Sequence, residues 1–231
     1  MAAIRTLLFI LIFYGLTVPW VMAALIGAAL GDVPMHKVIF GWVRFHRWCA
    51  RWILGITVRI EGEIPKGQHL FSAKHQAMFE TLDLLNLLDA PAPVLKKELT
   101  TIPGWGWLAT RYGGIAVDRS GGAATMRAML KRTRAVLADG RSVVIFPEGT
   151  RVLPGETPQL QAGFAGLYKV FNLPVVPIAI RSGHVWPRKG WIKYPGVVTY
   201  RFFDPIPTGL PREEIKARVH ALINSLETEG D

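Results

Sequence analysis

The chain has 231 residues, a formal net charge of +10, a pI of about 10.0 and one cysteine, Cys49. A single cysteine excludes an internal disulfide and a thiolate metal cluster, and the length suits one domain plus a membrane segment better than two independent domains. The positive balance points to an anionic partner (nucleic acid, an anionic membrane surface or an acidic substrate), and with 50% hydrophobic residues a sizeable core is available.

The first element is apolar. No charged residue falls between Arg5 and Asp32, which leaves an uncharged run of 26 residues, 6–31. About 20 apolar residues cross the hydrocarbon core as a helix. A cleaved signal peptide would have an apolar core of only ~7–15 residues, so this run is too long for one. Pro19 would kink the helix or split it into halves, which leaves a straight span and a re-entrant or tilted segment equally open. Residues 35–53 form a second helix. Its basic residues Lys37, Arg44, Arg47 and Arg51 project into one sector roughly 80° wide, while Trp42, Trp48 and Trp52 fill another. No acid occurs between Asp32 and Glu61. This is the pattern of an interfacial amphipathic helix whose aromatic stems sit among headgroups and whose cations meet lipid phosphate; a domain helix with a solvated basic face is the plainer alternative. Basic residues following the apolar run place the rest of the chain in the cytoplasm, on the inner membrane.

Residues 54–231 alternate strand-like and helix-like stretches. Strands are expected at 56–62, 69–73, 115–117, 142–146, 175–180 and 197–203, and helices at 77–88, 122–138, 164–171 and 212–226. Gly- and Pro-rich loops are expected near 100–106 and 152–158. Such alternation predicts an α/β domain with a central, mostly parallel or mixed sheet flanked by helices, preceded by the membrane-associated helices of residues 1–53.

Three strand ends carry polar residues suited to chemistry. The first delivers His75, with Glu80 five positions later. Positions five apart on one helix face away from each other by ~140°, so the two meet only if His75 lies in the turn before the helix. A histidine oriented by a carboxylate is a proton-transfer pair, although taken alone such a pair is more commonly structural. The second end runs Phe-Pro-Glu-Gly-Thr-Arg, 146–151. There Gly149 permits an unusual backbone angle, Arg151 offers a planar fork for phosphate, and Glu148 either accepts from a polyol or positions a basic group. A plain Pro-Glu-Gly turn is the alternative. The third end delivers Asp118 and Arg119, a second phosphate candidate or a surface ion pair. Lys96 and Lys97 form a further cationic pair, equally readable as solvated.

Taken together, these pieces resemble the glycerolipid acyltransferase family, specifically the 1-acylglycerol-3-phosphate acyltransferases. Four blocks occur in order: His75 to Glu80, Gly114 to Arg119, Phe146 to Arg151, and the apolar stretch 175–179 around Pro177. The resemblance covers roughly residues 57–226. It implies that His75, held by Glu80, takes the proton from the sn-2 hydroxyl of a lysophosphatidic acid, whose oxygen attacks the thioester of acyl-CoA or acyl carrier protein. It further implies that Lys96, Arg119, Glu148, Gly149, Thr150 and Arg151 bind the acceptor, and that Val176, Pro177 and Ile178 line the acyl groove. No metal or other cofactor is needed under this reading, and no nucleic-acid partner is expected. Two positions depart from the family pattern: Glu80 stands where Asp is usual, so its hold on His75 is expected to be looser, and Lys74 stands where Asn is common. A different acceptor such as lyso-ornithine lipid is the nearest alternative. A metal-dependent hydrolase using His75, Glu80 and Glu148 is the remote one.

Overall fold

The computed structural model describes residues 1–118 and 122–228. α1 (Ala2–Phe9) and α2 (Gly15–Leu30) join through a wider turn, Ile10–Tyr14, into one continuous helix, Ala2–Leu30. The helix runs through Pro19 instead of splitting into halves. The turn that opens lies immediately before Gly15, whose carbonyl stands four residues ahead of the proline and would otherwise meet its ring. Gly31, at φ +126°, reverses the chain into α3 (Asp32–Cys49), which ends in a second wide turn, Ala50–Leu54. A Cβ on Gly27 would stand 3.2 Å from the Met35 backbone, so the two arms of this hairpin pack closely there.

The remaining elements are β1 (Ile56–Glu61), β2 (Leu70–Ala73), α4 (Phe79–Leu87), β3 (Ala92–Lys96), a short 3₁₀ turn (Lys97–Thr101), α5 (Trp105–Tyr112), β4 (Ile115–Val117), α6 (Gly122–Ala138), β5 (Val143–Ile145), α7 (Ala162–Phe171), β6 (Val175–Arg181), β7 (Gly196–Phe202), α8 (Arg212–Ile223) and α9 (Ser225–Thr228). Two elements fall where the sequence reading expects none. Pro91 and Pro93 disguise β3, since proline argues against a strand, and the Gly-Pro segment near 100–106 opens into α5. The helix expected over 212–226 is broken at Asn224.

The seven strands form one sheet in the order β1-β7-β6-β2-β5-β3-β4. β6, β2, β5, β3 and β4 run parallel; β7 pairs antiparallel to β6, and β1 parallel to β7. Alternate residues of a strand face opposite sides, and the two cores follow that rule. Phe71, Ala73, Val144, Val176 and Ile178 face α4 and the N-terminal hairpin, while Leu70, Val143, Ile145 and Val175 face α6, α7 and α8. Helices cover both faces, as a parallel sheet requires. Phe9, Phe13, Cys49, Ala50 and Leu54 belong to the first of these cores. The N-terminal helices and the α/β domain therefore share one hydrophobic interior, and the boundary expected after residue 53 falls inside the turn that joins them.

Candidate active site

A parallel sheet gathers the carboxyl ends of its strands on one edge, where loops open into a crevice. Here that edge collects His75 after β2, Lys96 at the end of β3, Asp118 after β4, residues 146–151 after β5 and Ser182 after β6. Arg119 lies outside the described residues.

His75 sits in the turn between β2 and α4, and Glu80 in the first turn of α4, so the two meet across the junction. The distance from His75 Nδ1 to Glu80 Oε1 is 3.0 Å. An ionised carboxylate only accepts, so the proton of the neutral ring lies on Nδ1 and Nε2 keeps its lone pair. Glu80 is fully buried. Its Oε1 also accepts the N–H groups of Gln76 (2.7 Å) and Ala77 (2.6 Å), and its Oε2 accepts the Ser182 hydroxyl (2.9 Å). Four donors fix this carboxylate. The looseness expected of a Glu in place of an Asp does not arise, because the extra methylene is taken up by a fully bonded head group. On the other side, the Phe146 ring stacks on the imidazole at 4.1 Å between centroids.

Glu148 and Lys74 are both buried, and their side chains pair at 2.9 Å. Glu148 Oε2 accepts the His75 backbone N–H at 2.8 Å. Burial pushes the Glu148 carboxyl upward from its ordinary value, and Lys74 and the His75 amide pull it back. Glu148 thus holds the histidine's backbone and a buried cation, and it turns away from the crevice. That corrects the expectation that it binds the acceptor. Lys74, which stands where Asn is common, is internal. A buried ion pair is tolerated only when its remaining hydrogen-bonding capacity is also met. The Lys74 ammonium meets that condition by donating to the Glu156 carbonyl and to Asn224 as well.

His75 opens onto a cavity of about 1260 Å³. One wall is apolar and comes mainly from the N-terminal helix and the segment after β3: Phe13, Val18, Val21, Leu25, Ile102 and Trp105. A narrower apolar space lies beyond it, between Ala24, Ile39, Leu85 and Leu108. Gly104, at φ +70°, brings the backbone against Val21 and Leu25, where a Cβ would stand 3.2 Å from Val21. Val176, Pro177 and Ile178 line none of this. They lie in β6, third in the seven-strand order and covered on both faces, and all three are buried. The expectation that they form the groove is overturned; they are core. The polar part of the cavity carries Lys96, Gly149, Thr150 and Arg151, together with Arg188, which the sequence reading missed. Gly149, at φ +75°, supplies the backbone turn that swings Thr150 and Arg151 into the opening. Arg188 follows a tryptophan and a proline and precedes Lys189. A basic pair in a Gly/Pro loop is a weak signal for a ligand contact. Ser182, also missed, directly follows a parallel strand, the place where this fold sets functional groups.

The interfacial set divides. Lys37, Arg44, Trp48, Arg51 and Trp52 are exposed. Trp42 is turned inward instead, stacking on Phe13 and donating its indole N–H to Thr17 Oγ1 at 3.0 Å. Arg47 reaches back to the buried Asp83 of α4 at 3.6 Å. Both are corrections, with one cause: the hairpin lies on the catalytic domain, so the side of α3 that carries them is covered. Among the described residues, no group of three or more His, Cys, Asp or Glu side chains converges, and Glu80 and Glu148 already spend their oxygens on protein donors.

Comparison with known proteins agrees with this geometry. The family model described as Acyltransferase matches residues 55–181. A 1-acyl-sn-glycerol-3-phosphate acyltransferase of Pseudomonas aeruginosa is 34% identical over 200 residues, 85% of this chain and 78% of that one. The enzyme of the same name from Limnanthes douglasii is 31% identical over 160 residues, 68% of this chain and 57% of its own length. In fold, the chain is similar to the 1-acyl-sn-glycerophosphate (LPA) acyltransferase PlsC from Thermotoga maritima, with a TM-score of 0.76 over 100% of both chains at 23% identity. The chain is an enzyme of the acyltransferase family, the family to which its matched residues and its relatives, the 1-acyl-sn-glycerol-3-phosphate acyltransferases, assign it.

Proposed function

We propose that this enzyme transfers a fatty acyl group from acyl-CoA or acyl carrier protein to the sn-2 hydroxyl of 1-acyl-sn-glycerol 3-phosphate, producing phosphatidic acid for phospholipid synthesis. One observation carries the reading: the fixed Glu80–His75 pair, joined through Nδ1, opens onto a cavity with an apolar wall and a cationic rim. Nε2 takes the hydroxyl proton as the oxygen attacks the thioester carbon, and the ring later returns the proton to the departing thiolate. Glu80 stabilises the transient imidazolium. Neither a covalent enzyme intermediate nor a metal or other cofactor is needed. Among the described cations on the cavity wall, Lys96, Arg151 and Arg188 have no acidic partner, so they are available to phosphate groups of acceptor and donor. Phosphate binding by Arg119, adjacent to Asp118, belongs to the same proposal by resemblance.

Both substrates are amphiphiles, and the apolar wall of the cavity is itself part of the N-terminal hairpin. We therefore place the protein on the cytoplasmic face of the inner membrane, with the hairpin lying in one leaflet and the cations of α3 against anionic headgroups.

The test is an assay of the full chain in detergent micelles with two donors, an acyl-CoA and an acyl carrier protein thioester, and two acceptors, lysophosphatidic acid and lyso-ornithine lipid. Lysophosphatidic acid should be the preferred acceptor, and His75→Ala should lose at least ~10²–10⁴-fold in kcat while remaining folded. Near wild-type turnover by His75→Ala would overturn the mechanism, and preference for the ornithine lipid would overturn the acceptor.

A further inference from the structure

The two residues beside the catalytic histidine are both fully buried and both polar, and both are tied to the far end of the chain. Lys74 Nζ donates to Asn224 Oδ1 at 2.5 Å and to the Glu156 carbonyl at 2.6 Å. Gln76 Nε2 donates to Glu227 Oε1 at 2.5 Å, and the other oxygen of Glu227 accepts the Gly155 N–H. Asn224 is the break between α8 and α9, and Glu227 lies in α9. Neither falls within the residues 55–181 that the family model matches.

From these contacts two chains of bonds run to His75. One passes from Asn224 to Lys74, from Lys74 to Glu148, and from Glu148 to the His75 backbone N–H. The other passes from Glu227 to Gln76, whose Oε1 accepts the N–H groups of Ser182 (2.8 Å) and Gly183 (2.9 Å). Ser182 then donates to Glu80 Oε2, and Glu80 Oε1 accepts from His75 Nδ1. The first chain fixes where the histidine's backbone lies, and the second fixes its ring.

We infer that the C-terminal turn Asn224–Glu227 is a positioning part of the active site: it clasps Lys74 and Gln76 and so holds His75 in register with Glu80 and the loop after β5. These residues touch no substrate. Their effect travels through the histidine, and a base displaced by a fraction of an ångström loses alignment with its proton, a cost that falls on the chemical step. The inference rests on His75 being the base.

The test is steady-state kinetics of the full chain in micelles, with lysophosphatidic acid and an acyl-CoA, for Glu227→Ala and Asn224→Ala. Both should lower kcat by roughly tenfold or more with KM for each substrate within about twofold of wild type and with circular dichroism little changed; both should also melt somewhat lower, because each leaves a buried donor, on Lys74 or on Gln76, one acceptor short. Glu227→Gln keeps an acceptor for Gln76 and should recover most of the loss. Placed in a His75→Ala background, Glu227→Ala should leave the residual rate unchanged, because residues acting through one group are not additive; a merely structural role would lower that residual rate too. If the wild type transfers acyl groups and both folded single variants keep its kcat, the clasp is overturned and the acyltransferase reading stands. A wild type without transfer activity overturns both.

Discussion

At the scale of single residues, the proposed mechanism turns on the carboxylate that orients the proposed base His75, and here it is Glu80, where the family resemblance leads one to expect Asp. Its three contacts on Oε1 and one on Oε2 separate its two contributions, geometry and charge. An amide in its place can keep the geometry, since its oxygen still accepts from His75, Gln76 and Ala77 and its NH₂ can face the Ser182 oxygen. What it loses is the charge that balances the imidazolium. Glu80→Gln should therefore lower kcat by roughly 10²-fold or more while the thermal midpoint stays close to wild type. Glu80→Ala instead leaves buried N–H donors unpaired, each costing about 1–3 kcal/mol, and should lose stability as well as rate. Differential scanning fluorimetry alongside kinetics separates the two; a Glu80→Gln enzyme at full kcat would remove the electrostatic role. The histidine, the acid and the Phe-Pro-Glu-Gly-Thr-Arg run were legible in the sequence because their chemistry is local to short segments. The inward turn of Lys74 was not. A lysine is ordinarily solvated, and the three acceptors that make its burial tolerable come from residues 74 to 150 positions away in the chain.

At the scale of elements, α3 and α4 are coupled through a charge that the sequence did not assign. Asp83 lies one turn beyond Glu80 and is buried, with Arg47 of α3 3.6 Å away. Burial raises the Asp83 carboxyl to about 6; the Arg47 guanidinium pulls it down, and the charge of Glu80 adds to the rise. The native protein therefore keeps a proton that the unfolded chain releases near pH 4. Stability from this group is greatest below that point and falls as pH rises through the window from about 4 to 6. Removing Arg47 takes away the downward pull. In Arg47→Ala the fall should be larger and should continue above pH 6, where the Asp83 contribution in wild type has levelled off. Denaturant unfolding in detergent from pH 4 to 8 measures the difference, and parallel pH profiles would show that the pair does not couple the helices. Periodicity made α6 and β7 legible, because each buries a regular face, and short, mainly apolar runs made β2 and β6 legible as strands buried on both faces. It failed at β3, where two prolines interrupt the pattern, and at α5. There Gly106 allows the helix to start against the Thr100 carbonyl, a contact that any Cβ would block. It also failed to see that the apolar block around Pro177 is core, since a run covered on both faces looks the same whether it lines a groove or fills a sheet.

At the scale of the whole molecule, the question is how an apolar helix long enough to span a bilayer is used. Hydropathy measures its length but not what lies against it. The helix touches the catalytic domain along its course: Thr6 exchanges hydrogen bonds with the Lys193 backbone, Phe9 packs edge-on against Trp186, and Val21 and Leu25 meet Gly104. At the hairpin's turn, Asp32 pairs with Arg111 at 2.9 Å. These attachments at both ends to one domain are what the proposed one-leaflet arrangement rests on. Its outer face remains apolar and bare, with Leu11 62% and Ile26 63% exposed, and Trp52 of the following turn 66% exposed. Such a face is costly in water and favourable within one leaflet, at roughly 25 cal/mol per Å² of apolar surface covered. Placing a charge on it, as in Leu11→Asp combined with Ile26→Asp, should abolish sedimentation with anionic vesicles. The hairpin fold and micellar activity should survive, because neither side chain faces the catalytic domain. Replacing Arg44 and Arg51 by Gln should act differently, weakening binding to anionic vesicles by about 1 kcal/mol per cation at low salt and leaving neutral vesicles unaffected. If the double Asp variant still bound both kinds of vesicle as wild type does, the helix would not be the membrane contact, and the one-leaflet arrangement would fall with it.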